Sequence, residues 1–249
     1  MRTEILYEDK DILVVYKPAG LAVQTARAGQ PDVASELKNY LASTYLGIVH
    51  RLDQPVEGLL VFARHQKAAA ALTRQLQKQD GEGSLHKQYL GVLWGWPDAG
   101  EGTLVGEMYK DAAGRAVVLD CAGKVQGEKG GGKSFPGNAA AGTAKKAVLH
   151  YKILAGREVD GDSRAEGICL AEITIDTGRF HQIRAQMAHA GHPLLGDMKY
   201  GTEDSCRLSG HLQVKNVALC AYKLDFIHPV TGEILCFQVE PRGRAFSLL

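Results

Sequence analysis

Short apolar runs separated by polar turns dominate the chain. Ile5-Leu6-Tyr7 and Ile12-Leu13-Val14-Val15-Tyr16 flank the polar Glu8-Asp9-Lys10-Asp11, which predicts a strand pair closed by Pro18 and Gly20. Asp32 is placed to cap a helix running to about Tyr45, with Leu37 and Leu41 on one face. Ile48-Val49 reads as a short strand, and Gly58 to Ala63 as a buried one. The alanine-rich stretch from His65 to Lys78, with Leu72 and Leu76, predicts a helix. Further strands are expected at Lys87–Trp94, Ala147–Leu154, Cys169–Ile175, Val217–Phe226 and Ile234–Val239. Ile183, Met187 and Ala190 fall at helical spacing within Phe180–Ala190, and Gly191 ends that run.

Residues 121–143 break the pattern. Gly130-Gly131-Gly132, Gly137 and Ala139-Ala140-Ala141 leave almost no apolar periodicity, which reads as a flexible surface loop inside the domain. The competing reading is a loop that orders on substrate. Many hairpin-joined strands with few helices predict an α+β fold, with a mixed, largely antiparallel sheet and flanking helices, in a single domain over residues 1–249.

Composition narrows the classes. The formal net charge is only +1, so nucleic-acid binding would have to come from a local basic face. Five cysteines, Cys121, Cys169, Cys206, Cys220 and Cys236, form no C-x-x-C pair. The three in strand-like runs read as buried free thiols. Met1-Arg2-Thr3-Glu4 leads straight into a strand pattern without a secretory leader, and no long apolar span follows. A cytoplasmic protein without membrane attachment is therefore expected. No glycine-rich phosphate loop follows a strand, and no metal-ligand spacing stands out, so neither cofactor nor metal is expected.

Two stretches concentrate chemistry: His50-Arg51-Leu52-Asp53, and Gly178-Arg179-Phe180-His181-Gln182-Ile183-Arg184. Taken as four letters, the first reads as a surface ion pair between Arg51 and Asp53. Its position, at the end of a short apolar strand and before a turn with Pro55 and Gly58, favours an active-site acid.

Together these stretches resemble the signatures of the RluA-type pseudouridine synthases. His50–Asp53 followed by Gly58–Ala63 resembles that family's first motif, Lys87-Gln88-Tyr89-Leu90 its second, and Gly178–Arg184 with Gly191–Asp197 and Tyr200-Gly201 its third. Glu8-Asp9 through Lys17-Pro18-Ala19-Gly20 is similar to the usual start, and Leu224–Pro229 to the usual end. The resemblance covers nearly the whole chain, in order. It implies the pseudouridine synthase catalytic fold with a central active-site cleft, and the isomerisation of uridine in RNA without cofactor or metal. Asp53 would be the catalytic acid, as nucleophile or as base at the sugar.

The resemblance also distributes roles. Arg184 would keep the carboxylate ionised against burial; its bland reading is a solvated charge on a helix. Tyr89 would stack on the flipped base and assist proton removal, where a strand tyrosine is otherwise core packing. Arg51 would fill the space left by the flipped nucleotide, or touch a phosphate. His50, Arg179, Lys87 and Lys199 are candidate RNA contacts, and His181 would orient its loop by hydrogen bonding. Gly58, Gly178, Gly191 and Gly196 read as turn or close-packing positions. Gln54-Pro55-Val56-Glu57, Phe180, Gln186 and Cys220 depart from the commoner family pattern, which puts the RNA target in question. The small N-terminal RNA-binding domain of many relatives is not expected. Target choice would rest on the catalytic domain of a monomer acting on ribosomal or transfer RNA. The competing readings are a degenerate synthase that binds or folds RNA without chemistry, and a hydrolase using Asp53 with His181.

Overall fold

The structure, a computed structural model, describes residues 1–27, 29–78, 83–119, 144–159 and 167–249. The expected loop at 121–143, with Cys121, lies outside the described residues. The chain opens with β1 (Glu4–Glu8), β2 (Ile12–Lys17), α1 (Val33–Tyr40), β3 (Gly47–Ile48), β4 (Glu57–Ala63) and α2 (Gln66–Gln77). Strands β5 (His86–Trp94), β6 (Glu101–Lys110), β7 (Ala116–Leu119), β8 (Lys145–Arg157) and β9 (Ile168–Ile175) follow. Helices α3 (Gln182–His189) and α4 (Glu203–His211) precede β10 (Leu219–Ile227), β11 (Ile234–Gln238) and a closing 3-10 turn at Arg244–Leu248. Among the described residues, four helices beside largely antiparallel strands make this an α+β fold.

Contacts gather into two compact units, Met1–Gly91 with Val214–Leu248, and Val92–Gln213. The first is built on a sheet ordered β1-β2-β4-β10-β5, with β3 beside β4 and β11 beside β10. Its pairs are antiparallel except β4 with β10. Every residue of β2 and β4 is buried. A strand covered on both faces reads as a continuous apolar run, which is why these two were legible in the sequence. Ile12, Val14, Leu59, Val61 and Ala63 share one core with Ala68 and Leu72 of α2 and with Leu224 and Phe226 of β10.

The helix starts follow their caps. The Asp32 side chain accepts from the Ser35 amide and begins α1, and His65 accepts from the Ala68 amide and begins α2. α1 stops at Tyr40 rather than near Tyr45, because Ala42 takes a left-handed φ of 48°.

Gly58 decides where β4 meets β10. Its φ is +122°, and a Cβ there would lie 2.4 Å from the Ala221 carbonyl oxygen. Only a residue without a side chain allows Gly58 to pair with Ala221 in the parallel ladder.

In the second unit β8 pairs with β6 and β9, and β7 with β6, all antiparallel. Met108, Ala116, Val118, Ala147 and Ala185 form one of its core clusters, with Tyr200 against it. Gln182 to Met187 of α3 are all buried, so this helix is enclosed rather than amphipathic. β6, β7 and α4 had not been anticipated. β6 carries two glycines and alternates exposed with partly covered residues, and α4 is rich in serine and charge. Cys169 and Cys220 are buried free thiols as expected, but Cys236 is exposed, because β11 presents it to solvent. Among the described residues no helix is long and apolar enough to cross a membrane.

Candidate active site

Asp53 sits half-buried where the chain turns into β4, and its carbonyl accepts from the Val56 amide at 3.1 Å. The segment after β2 clasps this turn. The Gly20 amide donates to the Gln54 carbonyl at 2.8 Å, and the Gln54 side-chain amide returns a bond to the Gly20 carbonyl at 3.1 Å. Gly20 meets this geometry with a left-handed φ of 83°. Gln54, a departure from the commoner family pattern, is thus part of the clamp.

Lys17 closes the arrangement, and sequence reasoning gave it no role. It is completely buried. Its ammonium donates to the carbonyls of Leu21 at 2.6 Å, Gln54 at 3.0 Å and Pro18 at 3.1 Å. Burial pushes its pKa down to about 7, against the pull of the Asp53 and Glu57 carboxylates. Lys17 therefore supplies positive charge to Asp53 within its own unit. A lysine that ends an apolar strand before a proline is ordinarily read as a solvated terminus, so only its context exposes it.

Glu57, the first residue of β4, is also buried. It accepts from the Tyr16 hydroxyl at 2.5 Å and from the Gly243 amide at 2.8 Å. Burial, then the bond to Glu57, holds the Tyr16 phenol well above its usual range.

Tyr89 lies on β5 opposite Ala221 and is 5% exposed. Burial, reinforced by the charge of Asp53, pushes its phenol upward, so it stays protonated. Tyr89 and Asp53 are thus electrostatically coupled, while little of the Tyr89 ring reaches the surface. The bland expectation of core packing describes its position, and the coupling to Asp53 adds chemistry to it.

His50 does not have the place expected of an RNA contact. It is buried, and its Nε2 accepts from the Val61 amide at 3.3 Å. Burial, then the Lys87 charge, pushes its pKa down to about 3. A neutral imidazole bonded to β4 anchors the motif and offers no cation to a phosphate. Lys87 is half-buried on β5, and burial lowers it to about 8. Arg51 is exposed and reaches the Gln24 side chain at 3.5 Å.

In the second unit the third motif is knit by its own polar groups. Arg184 is buried, not a solvated helix charge. It donates through Nε to Asp197 Oδ2 at 2.7 Å and through Nη2 to Oδ1 at 2.8 Å. Asp197 Oδ1 also accepts from the amides of Lys199 and Tyr200. The fork geometry and extra amides are what a buried ion pair needs. Gln182 accepts from the Thr177 hydroxyl and the Arg179 amide and donates to the Val148 carbonyl. Arg179 donates from Nε to the Lys146 carbonyl at 2.8 Å, and Lys199 from Nζ to the Gly114 carbonyl at 2.6 Å. His181 caps α3 in a left-handed conformation with φ 53°. Its Nδ1 bonds the Tyr200 hydroxyl at 2.8 Å, and that oxygen accepts from the Ala116 amide, also at 2.8 Å.

Among the described residues one group has metal-ligand character: ligand atoms of Asp9, Asp11 and His228 lie within 4.8 Å of one another. His228 Nδ1 accepts from the Thr231 and Val230 amides, so its Nε2 carries the proton donated to Asp9 Oδ2 at 2.8 Å. That tautomer has no lone pair left for a metal.

The family model described as RNA pseudouridylate synthase matches residues 11–189. YhcT of Bacillus subtilis (strain 168), described as an uncharacterized RNA pseudouridine synthase, is 31% identical over 240 residues, covering 93% of this chain and 66% of its own length. Ribosomal large subunit pseudouridine synthase D of Zymomonas mobilis is 31% identical over 252 residues, covering 95% of this chain and 68% of that protein. The chain thus spans about two thirds of the length of these relatives. The solved structure of human RNA Pseudouridylate Synthase Domain Containing 4 shares the fold, with a TM-score of 0.72 at 22% identity over 98% of this chain and 91% of the human one. The ordered motifs, the matched span and the shared fold agree, and the chain belongs to the RNA pseudouridylate synthase family, as a member of the RluA type.

Proposed function

We propose that this protein isomerises uridine in RNA to pseudouridine, with Asp53, Tyr89 and Arg184 as its catalytic residues. The observation that carries the reading is the clamped turn: an acid at the end of His50-Arg51-Leu52-Asp53, followed by Gln54, whose carbonyl Gly20 and Lys17 hold, with the charge of Asp53 acting on the Tyr89 phenol. The Asp53 carboxylate would act as nucleophile or as base at the sugar, and the Lys17 ammonium, bonded to the next residue's carbonyl, orients the turn that carries it. A protonated phenol in the field of the acid is suited to moving a proton during rearrangement of the base. Arg184 joins the set by its place in the third motif, where Asp197 fixes its guanidinium in two bonds.

The reaction requires the target nucleotide to leave the helical stack. Arg51, exposed beside the acid, is suited to contact the RNA as this happens. Ribosomal RNA is the favoured substrate, because relatives covering most of this chain are named for the ribosomal large subunit. Those relatives are bacterial, and we take the enzyme to be a monomer of the cytoplasm that uses neither cofactor nor metal.

The test is direct. Purified protein is incubated with unmodified ribosomal and transfer RNA transcripts, and pseudouridine is read by carbodiimide-dependent primer extension. Wild type is expected to modify one or a few uridines. Asp53→Asn is expected to modify none while binding RNA within about tenfold of wild type, since loss in the transition state separates from ground-state binding. RNA binding without product by wild type would instead establish an RNA-folding protein, and turnover by Asp53→Asn would remove Asp53 from the mechanism.

A further inference from the structure

We propose that Phe180 is a stacking platform for an unpaired base of the substrate RNA, with the Lys110 ammonium serving the adjoining phosphate. The inference rests on the reading of the protein as an RNA enzyme and adds a binding subsite carried wholly by the second unit.

Phe180 is 44% exposed, while the six residues of α3 that follow His181 are buried. A single exposed aromatic needs no explanation in itself. Here, however, the ring is braced. It stacks on the His181 imidazole with centroids 3.7 Å apart and planes 22° from parallel. His181 is fixed by its left-handed backbone and by the Tyr200 hydroxyl, which β7 holds through the Ala116 amide. A ring supported in this way loses little freedom when a ligand stacks on it, which preserves affinity.

Charge surrounds the ring. Lys110 Nζ lies 4.7 Å and Lys199 Nζ 5.8 Å from its centroid, and the Arg115 guanidinium lies 5.3 Å from the centroid of Tyr200. The one acid in the β6–β7 turn, Asp111, is engaged by the Arg115 amide. An exposed aromatic ring with cations at its face matches how proteins hold single-stranded nucleic acid: bases stack and cations follow the backbone. The magnitudes favour exchange. An ammonium over an exposed ring contributes about two- to fivefold to an equilibrium, whereas a stacked base contributes about five- to a hundredfold. A base therefore displaces the Lys110 ammonium from the ring and this ammonium turns to the phosphate, while Lys199, held by the Gly114 carbonyl, stays beside the ring. Duplex RNA, whose bases are already stacked, gains nothing from the platform.

The test measures binding of a fluorescent single-stranded oligouridylate, and of an RNA duplex of equal length, by wild type, Phe180→Leu, Phe180→Trp and Lys110→Gln. Circular dichroism confirms that each variant is folded. Phe180→Leu keeps apolar bulk without a π face and is expected to bind the single strand about tenfold more weakly. Phe180→Trp is expected to bind at least as tightly as wild type, and all forms to bind the duplex equally. Lys110→Gln is expected to reduce the salt dependence of single-strand binding by about 0.7 in the log–log slope. Equal single-strand affinity of wild type and Phe180→Leu, equal losses on duplex, or no single-strand binding by wild type would overturn the platform. Pseudouridine formation by the same wild-type preparation is scored separately. Product with an unaffected Phe180→Leu refutes the platform alone, and no product refutes the enzymatic reading.

Discussion

The Lys17 ammonium donates to the backbone carbonyl of Gln54, the residue that follows Asp53, at 3.0 Å. Two more carbonyls, of Pro18 and Leu21, complete its three bonds. Lys17 therefore fixes the path of the turn that carries the acid and brings a positive charge to it. In Lys17→Met the Gln54 carbonyl keeps the Gly20 amide, while the Pro18 and Leu21 carbonyls lose the lysine donor, at a cost of roughly 1–3 kcal/mol for each buried group left unpaired. Lower stability in urea unfolding is expected, together with a fall in kcat larger than any rise in KM. Unchanged kcat in a folded variant would separate the clamp from catalysis.

Arg184 and Asp197 form a buried, two-bond ion pair. Arg184→Met leaves Asp197 charged and unmatched, and a loss of about 3–5 kcal/mol is expected. Adding Asp197→Asn is expected to restore a large part of that stability, because the isolated charge disappears while a side-chain oxygen remains for the Lys199 and Tyr200 amides. Activity is not expected to return with it. Denaturant midpoints and pseudouridine yields for the three proteins decide the point, and recovery of activity in the double variant would make Arg184 purely structural.

Gly58→Ala places a methyl carbon 2.4 Å from the Ala221 carbonyl oxygen, at a φ of +122°. β4 and β10 cannot both keep their places. Destabilisation well beyond about 1 kcal/mol is expected, with faster hydrogen exchange of the amides pairing β4 with β10. Normal exchange there would show that the ladder tolerates a side chain.

His50 carries a pH signature. Its pKa falls from 6.5 to about 3 in the fold, through burial and then the Lys87 charge. Between these values the unfolded chain binds more protons, so stability is full above 6.5 and is lost as pH falls toward 3. The slope reaches about 1.4 kcal/mol per pH unit. His50→Gln keeps an acceptor for the Val61 amide and removes the titration. Urea unfolding at about pH 7 and about pH 5 is expected to show a smaller acid loss in the variant than in wild type. The same acid loss in both would show that His50 does not resist protonation.

Much of the frame was legible before any coordinates. β2 and β4 were visible as apolar runs because both faces of each strand are covered, α1 announced itself through Asp32, and α2 through its alanine-rich run with Leu72 and Leu76. α4 carried a readable start as well: Thr202 accepts from the Ser205 amide, ahead of Glu203 and Asp204. Its serines and glycine gave no apolar stripe, so the cap had nothing to introduce. β6 and β7 were missed for a related reason, since exposed polar and glycine positions blur a period of two.

The sequence by itself determined the motif residues, their order and hence the family, because these are local strings whose chemistry does not depend on what folds against them. Caps and buried strands belong with them, being encoded within a few residues. Tertiary structure alone decided which charges are buried and what answers them. It enclosed Lys17 among three carbonyls, gave Arg184 to Asp197, and withdrew His50 from solvent. The cost of a buried charge or donor is set by partners that other segments bring, and no local pattern records which partners those will be.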